Sequence, residues 1–109
     1  MARHDALQGS LPLLVLKLLA RRGPLHGYGL ATQIEEMSAE LLRVEEGSLY
    51  PALHRLEESA LIKARWTTSP SGRRARVYEI TPAGRKQLES DEARWKTITS
   101  AVGRILKHA

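Results

Sequence analysis

The chain has 109 residues, of which 42% are hydrophobic and none is cysteine, so it suits one small domain and offers neither a disulfide framework nor a thiolate metal cluster. Seventeen Lys and Arg residues against twelve Asp and Glu residues give a net charge of +5, which favours a polyanionic partner if the charge is clustered. The longest apolar run, 11–20, is about half as long as a membrane span, and no signal-peptide pattern precedes it, so we expect a soluble cytoplasmic protein.

The first predicted helix covers residues 10–22. Ser10 is its candidate N-cap, Pro12 lies in its first turn, and Gly23-Pro24 ends it. The body LPLLVLKLLA is apolar on nearly every face, so contact with one neighbouring layer cannot bury it. The pattern predicts that this helix faces both a domain core and a second subunit.

Two further helices follow the turn RGPLHGYG, each marked by apolar residues three or four positions apart. The stripe of the second helix is Leu30, Ile34 and Met37, and that of the third is Leu49, Leu53 and Leu56. A short connector, SAELLRVEEG, separates the two.

The stretch GSLYPALHRLE (47–57) places Pro51 within the pattern of the third helix. A proline costs about 3 kcal/mol in a helix interior but little in the first turn, which predicts that Gly47 or Ser48 is the N-cap. Tyr50 would then lie at the end of the helix whose free N–H groups attract phosphate. A purely structural role, in which Tyr50 covers the edge of the core, fits equally well.

Alternation of side chains predicts a β-hairpin after the third helix. Its strands are 61–68 and 76–81, joined by SPSGRRA. Three arginines, Arg73, Arg74 and Arg76, lie at its tip. They could neutralise DNA phosphates, or they could serve only as a charged turn that keeps an edge strand soluble.

The last helix starts at Thr81-Pro82 and runs towards the C-terminus. Its apolar residues recur at heptad-like spacing, interrupted by Asp91. These residues are Leu88, Trp95, Ile98, Val102 and Ile105. We therefore assign this helix to a dimer interface.

Together these elements predict a mainly α fold with a small β-hairpin, namely a winged helix-turn-helix domain (1–81) followed by a C-terminal dimerisation helix (82–109). In such a domain the outer face of the third helix meets the DNA groove. That face carries Ser48, Tyr50, Pro51, His54, Arg55 and Glu58. Tyr28, near the start of the second helix, either packs or touches a phosphate.

Trp95 has two possible roles at the two-fold axis of a dimer. Two indoles could wall a flat apolar pocket for a planar aromatic effector, or they could simply fill the dimer core. The candidate effector-binding or interface residues around Trp95 are Val15, Leu18, Glu92, Ile98, Thr99 and Val102.

Three motifs, HGYGLATQI (26–34), GSLYPALHRLEESALI (47–62) and GRRARVYEITPAGRKQL (72–88), resemble the PadR family of bacterial transcriptional regulators over nearly the whole chain. The resemblance implies a homodimeric winged-helix repressor whose third helix enters the major groove, whose wing contacts the backbone or minor groove, and whose last helix dimerises. The short single C-terminal helix is similar to that of the small subfamily with multidrug-responsive members. Such a dimer would read a pseudo-palindromic operator and leave it on binding a small aromatic or drug-like effector.

The chain departs from the family pattern at two places. Ala60 stands after the third helix where glycine is usual, and alanine is costlier in a left-handed C-cap. The wing reads GRRARVY where aromatic or lysine residues are common.

Other classes of function find little support. No nucleophile-elbow motif or phosphate-cradling glycine loop occurs, so we expect no enzyme. His26 and His54 lack ligand spacing, so we expect neither a metal nor a cofactor. The alternative to a DNA-binding regulator is a winged-helix protein-interaction module without specific DNA binding.

Overall fold

The computed structural model describes the backbone of residues 2–109 and the side chains of residues 9–109. It is mainly helical with a small antiparallel sheet, as predicted. In chain order the elements are α1 (Ala2–Arg22), β1 (Leu25–His26), α2 (Gly27–Met37), α3 (Glu46–Glu58), β2 (Ile62–Thr68), β3 (Arg74–Ile80) and α4 (Pro82–His108).

Helix α1 is longer than predicted and lies at the centre of the molecule. It begins at Ala2 rather than after Ser10, so Pro12 lies in its interior. The helix contacts α2, α3, α4 and β3, which explains why its body is apolar on nearly every face. The protomer itself therefore supplies most of the burial for which the sequence suggested a second subunit.

The core brings together apolar side chains from all four helices and from the sheet. Its fully buried members are Leu11, Leu16, Leu19, Leu30, Leu49, Leu53, Ile62 and Val15. Leu56 and Ile34 join the same cluster, so the apolar stripes predicted for the second and third helices are confirmed except at one position. Met37, the last residue of α2, is the exception: it is exposed, and Arg22 Nη2 lies 3.8 Å from its Sδ. Leu88, predicted as part of the dimer seam of the last helix, is instead buried in this core.

The sheet contains a strand that the sequence did not predict. Leu25 and His26 form β1, which pairs antiparallel with β3 opposite Tyr78 and Val77, so the strand order is β1-β3-β2. Two residues are too few to show a periodic pattern, and pairing with a distant strand makes them a strand. The predicted hairpin is therefore the larger part of a three-stranded sheet.

Helix α3 begins earlier than predicted and ends in strained backbone. Its N-cap is Glu45, not Gly47 or Ser48, so Pro51 lies in the second turn of the helix. At the other end Ala60 has φ +60°, and the N–H groups of Ala60 and Leu61 donate to Glu57 and Leu56 carbonyls at 2.9 and 3.0 Å. This is a Schellman motif with alanine in the position that glycine usually occupies.

Helix α4 is anchored at its first turn and free along its second half. Thr81 Oγ1 accepts a hydrogen bond from Gly84 N at 3.0 Å, which confirms the predicted cap, and a Cβ at Gly84 would collide with the carbonyl oxygen of Leu61. From residue 93 to 109 every residue is exposed. The molecule consequently measures 57 × 28 × 22 Å. Among the described helices, none is both long and apolar enough to span a membrane.

Candidate nucleic-acid interface

The outer face of α3 is polar and open to solvent. Leu49, Leu53 and Leu56 anchor the opposite face in the core. Pro51, His54, Arg55 and Glu58 are exposed and Ser48 is half-buried. His54 Nε2 lies 3.5 Å from Glu58 Oε2, and Arg55 has no ion-pair partner among the described side chains. The helix thus presents hydrogen-bonding groups along one side of a rigid element.

Tyr50 lies beside the start of α2. The position of a Cβ added to Gly27 would be 3.0 Å from Tyr50 Oη and 3.1 Å from Cε1, so the phenol packs directly on a glycine backbone. The residue is nevertheless 45% exposed, and its hydroxyl has no hydrogen-bond partner in the described part of the chain. Tyr50 therefore packs on α2 and still offers a free hydroxyl to a ligand.

Tyr28 is the most open aromatic residue in this region. It lies in the first turn of α2 and is 81% exposed. The exposure favours contact with a ligand over packing within the protomer. Tyr28 and Tyr50 line one groove, together with Gly27 and the inner face of the wing formed by β2 and β3.

The three wing arginines do not share one position. The tip of the wing is a turn at residues 69–73, so Arg73 belongs to it, but Arg74 and Arg76 belong to β3. The prediction that all three lie at the tip is wrong, because β3 starts two residues earlier than expected. Arg74 stands opposite Thr68, and Arg76 stands opposite Trp66.

Trp66 stacks with two arginines on the inner face of the wing. The guanidinium carbons of Arg74 and Arg76 lie 4.8 and 5.6 Å from the centre of its ring. Such contacts hold a guanidinium over an aromatic face without removing its charge. Trp66 remains 57% exposed, so the stacked pair of Trp66 and Arg74 forms part of the groove surface.

Arg76 forms an ion pair within the protomer, whereas Arg73 and Arg74 do not pair with a carboxylate among the described side chains. Its Nη2 donates to Glu57 Oε2 of α3 at 3.0 Å. Burial raises the pKa of Tyr78, which lies beneath it, and the positive charge of Arg76 acts in the opposite direction. Arg73 and Arg74 are exposed and have no carboxylate partner among the described side chains, so both remain available to a polyanion.

A second surface lies at the far end of the molecule, along the outer half of α4. Its apolar side chains are Trp95, Ile98, Val102, Ile105 and Leu106, all of them exposed. Thr99 lies among them and donates from Oγ1 to the carbonyl of Trp95 at 2.7 Å. A helix face of this size without a cover within the protomer is typical of a protein–protein contact.

The residues predicted to surround Trp95 are not all on this surface. Val15 and Leu18 are buried in the core of the protomer. Glu92 lies where α4 leaves that core, and its carboxylate accepts hydrogen bonds from Lys17 Nζ at 2.9 and 3.1 Å. The structure thus brings Ile98, Thr99 and Val102 to the same surface as Trp95, but buries Val15 and Leu18 in the protomer core.

Sequence reasoning missed Glu57, Trp66 and Gly27 as parts of the candidate interface. The alternation of β2 places Trp66 on the correct face of its strand, but its stacking depends on the cross-strand register with Arg76. Glu57 is charged and close to the end of a helix, and nothing local distinguishes it from its neighbour Glu58. The glycine pair in HGYG is a signal of close backbone approach, and Tyr50 supplies the side chain that needs it.

Helices α1 to α3, a three-stranded sheet whose β2–β3 hairpin forms the wing, and an open polar face on α3 define the winged helix-turn-helix class of proteins. The family model described as "Transcriptional regulator PadR-like family" matches residues 15–90. The chain belongs to this family and is a PadR-family transcriptional regulator.

Several relatives are similar over much of the chain. A PadR-family transcriptional regulator from Eggerthella lenta is 30% identical with a TM-score of 0.82, covering 96% of this chain and 88% of that one. PadR of Bacillus subtilis, solved with operator DNA, is 26% identical with a TM-score of 0.66, covering 73% of this chain and 45% of that one. A transcriptional regulator of Mycobacterium tuberculosis is 46% identical over 57 residues, which is 52% of each protein.

Proposed function

We propose that this regulator is a homodimeric repressor that binds a pseudo-palindromic operator and is released by a small aromatic or drug-like effector. The proposal rests on two surfaces that are exposed in the protomer. One combines the polar face of α3 with Arg73 and Arg74 of the wing, which have no carboxylate partner among the described side chains. The other is the exposed apolar face of α4.

The first surface suits duplex DNA. The outer face of α3 offers hydroxyl, imidazole and guanidinium groups that can bond base edges or phosphates. We assign DNA contact to Tyr28, Ser48, Tyr50, Pro51, His54, Arg55, Arg73 and Arg74. Arg76, which the sequence also assigned to this set, is instead paired with Glu57 inside the protomer. The relative from Bacillus subtilis binds operator DNA, which supports the same partner here.

The second surface suits a second copy of the chain. The segment 82–109 then acts as the dimerisation element, and its contact begins at about residue 93, where α4 leaves the protomer core. A symmetric dimer holds its two copies of α3 about 34 Å apart, which is one turn of DNA, and therefore binds a pseudo-palindrome. Burial of the apolar face of α4 also enlarges a core that is small for one protomer.

The effector site lies at this dimer contact. Trp95 of each subunit lies on the exposed face, with Ile98, Thr99 and Val102 on the same surface. A planar aromatic molecule can stack between two indoles. Such a molecule releases the operator only if it binds the DNA-free geometry more tightly than the DNA-bound one.

Footprinting on the DNA upstream of the protein's own gene tests the proposal, combined with sedimentation of the free protein. We expect a protected site with two related half-sites about 10 base pairs apart, centre to centre, and a sedimenting species of two chains. A monomer without salt-dependent binding to duplex DNA would instead favour a winged-helix protein-interaction module.

A further inference from the structure

Arg76 lies where the wing meets α3. Its Nη2 contacts Glu57 Oε2 of α3 at 3.0 Å, and its guanidinium carbon lies 5.6 Å from the ring centre of Trp66 in β2. The carbonyl of the same residue accepts a hydrogen bond from His26 Nδ1 at 3.2 Å when that nitrogen carries the proton. One residue of β3 thus connects the wing to α3 and to the start of α2.

Arg74 stands on the same face of β3 but in a different environment. Its guanidinium carbon is 4.8 Å from the Trp66 ring centre, and no carboxylate pairs with it among the described side chains. Arg76, in contrast, is half-buried, and its Nε is fully buried without a hydrogen-bond partner. A phosphate can approach Arg74 directly, whereas the guanidinium of Arg76 is already paired with Glu57 through Nη2.

We propose that Glu57 and Arg76 form a clamp that fixes the wing relative to α3, so that Arg76 is a positioning residue, whereas Arg73 and Arg74 are the phosphate contacts. This inference rests on the proposed binding of DNA. Specific binding requires α3 and the wing to reach one duplex together, whereas nonspecific binding tolerates a loosely placed wing. Loss of the clamp therefore lowers the ratio of specific to nonspecific affinity without changing the number of neutralised phosphates.

The test compares Glu57→Gln with a control, Glu89→Gln. Both changes remove one negative charge, but Glu89 is exposed on α4, outside the proposed DNA surface, and has no ion pair among the described side chains. Affinity is measured over a range of salt concentrations for two duplexes of equal length, one containing the footprinted site and one with that site scrambled. We expect Glu57→Gln to lower the affinity ratio about three- to fivefold relative to Glu89→Gln, the size of effect typical of a partly exposed ion pair.

The same salt-dependence measurement distinguishes the role of Arg74 from that of Arg76. Arg74→Ala should reduce the slope of log affinity against log salt by about 0.9 for each phosphate that Arg74 neutralises. Arg76→Ala should leave that slope unchanged and lower the affinity ratio as Glu57→Gln does, with no further loss in the double variant. If Arg76→Ala reduces the slope as much as Arg74→Ala, Arg76 binds phosphate itself and the clamp is wrong.

Hydrogen exchange of the wing amides, residues 62–80, reports on the clamp without DNA. Removal of an ion pair that fixes the wing increases local opening, so we expect faster exchange in Glu57→Gln than in Glu89→Gln. Equal exchange rates in the two variants would contradict the clamp. Failure of the unaltered protein to bind any duplex would overturn the proposed function and the clamp's role in recognition, while the exchange rates would still show whether the pair fixes the wing.

Discussion

Ala60 shows how one residue stores strain at a helix end. Its φ of +60° belongs to the left-handed region, which costs an alanine roughly 1 kcal/mol more than a glycine. The residue is exposed, so its methyl group contributes little packing. The departure from the family's usual glycine therefore leaves the Schellman motif intact and lowers the stability of the fold.

We accordingly expect Ala60→Gly to increase the free energy of unfolding by up to about 0.6 kcal/mol, which is the gain of roughly 1 kcal/mol in the left-handed region less about 0.4 kcal/mol or more for the greater freedom of glycine in the unfolded chain. Urea unfolding measures the change. Ala93→Gly is the matched control, because Ala93 is also exposed but lies inside α4, where glycine should destabilise by a similar amount. A loss of stability in Ala60→Gly would show that the left-handed alanine carries no strain.

Tyr50 combines a packing contact with a hydroxyl that has no partner among the described residues. Its ring packs on Gly27, so Tyr50→Phe should preserve the fold and, under the proposed function, remove one hydrogen bond to DNA. If that bond reaches a phosphate, affinity should fall about three- to tenfold, and similarly for specific and scrambled duplexes. Fluorescence anisotropy with both duplexes is the measurement. A loss confined to the specific duplex would assign the hydroxyl to a base instead.

Among the helices, α4 is joined to α1 by the ion pair between Lys17 and Glu92. This pair lies directly before residue 93, from which every residue of α4 is exposed. The hydrogen bond from Lys17 lowers the pKa of Glu92 below its ordinary value of 4.5, and the charges of Lys17 and Lys96 act in the same direction. Since the folded state then holds the carboxylate charged to lower pH than the unfolded chain, the pair stabilises the fold above the ordinary pKa. That contribution is lost as pH falls through the lowered pKa.

Glu92→Gln should therefore destabilise the protein at pH 7 and weaken the loss of stability below about pH 5. Urea midpoints for both proteins, measured between pH 7 and pH 3, provide the comparison. Glu89→Gln is the control, because Glu89 lies on the same helix without an ion pair among the described side chains. If the urea midpoint falls equally with pH in the unaltered protein and in Glu92→Gln, the Lys17–Glu92 ion pair does not contribute to the loss of stability in acid.

The sequence predicts the type of each long element well and its ends less well. Helix α3 shows the reason, since Pro51 indicates a start at Gly47 or Ser48 but lies in the second turn. The hydrogen bond that Pro51 cannot donate would go to the carbonyl of Gly47, an exposed residue that water can reach. Strand β1 was missed because its two residues depend on pairing with β3, and local pattern does not report such distant pairing.

For the whole molecule, the sequence predicted the winged helix and placed Trp95, Ile98 and Val102 on one exposed face. It did not distinguish the wing arginines, whose roles depend on the register of β3 and on the distant Glu57. It also did not show that Val15 and Leu18 are buried within the protomer, because a helix that is apolar all round gives no sign of which neighbour covers each face.

Trp95→Ala tests the dimer surface and the effector site together. Loss of a large aromatic anchor from an interface typically costs about 2 kcal/mol or more, which raises the dissociation constant of a dimer about 30-fold. Sedimentation at several concentrations measures this constant, and titration with planar aromatic dyes measures ligand binding. Arg94→Ala, one position along the same helix, is the control. Unchanged sedimentation together with unchanged dye binding would remove Trp95 from both roles.

If the wing and α3 form a DNA-binding surface, duplex binding depends on salt concentration through the cations of the wing. Each phosphate neutralised by a cation adds about 0.9 to the slope of log affinity against log salt. Replacement of Arg73 and Arg74 by alanine should therefore flatten the slope by about 1.8 for each wing that binds the duplex. The control replaces Arg85 and Lys86, an exposed basic pair on α4, and should change the slope less. An unchanged slope in the wing variant, or an equal change in the control, would contradict a DNA-binding surface that includes the wing.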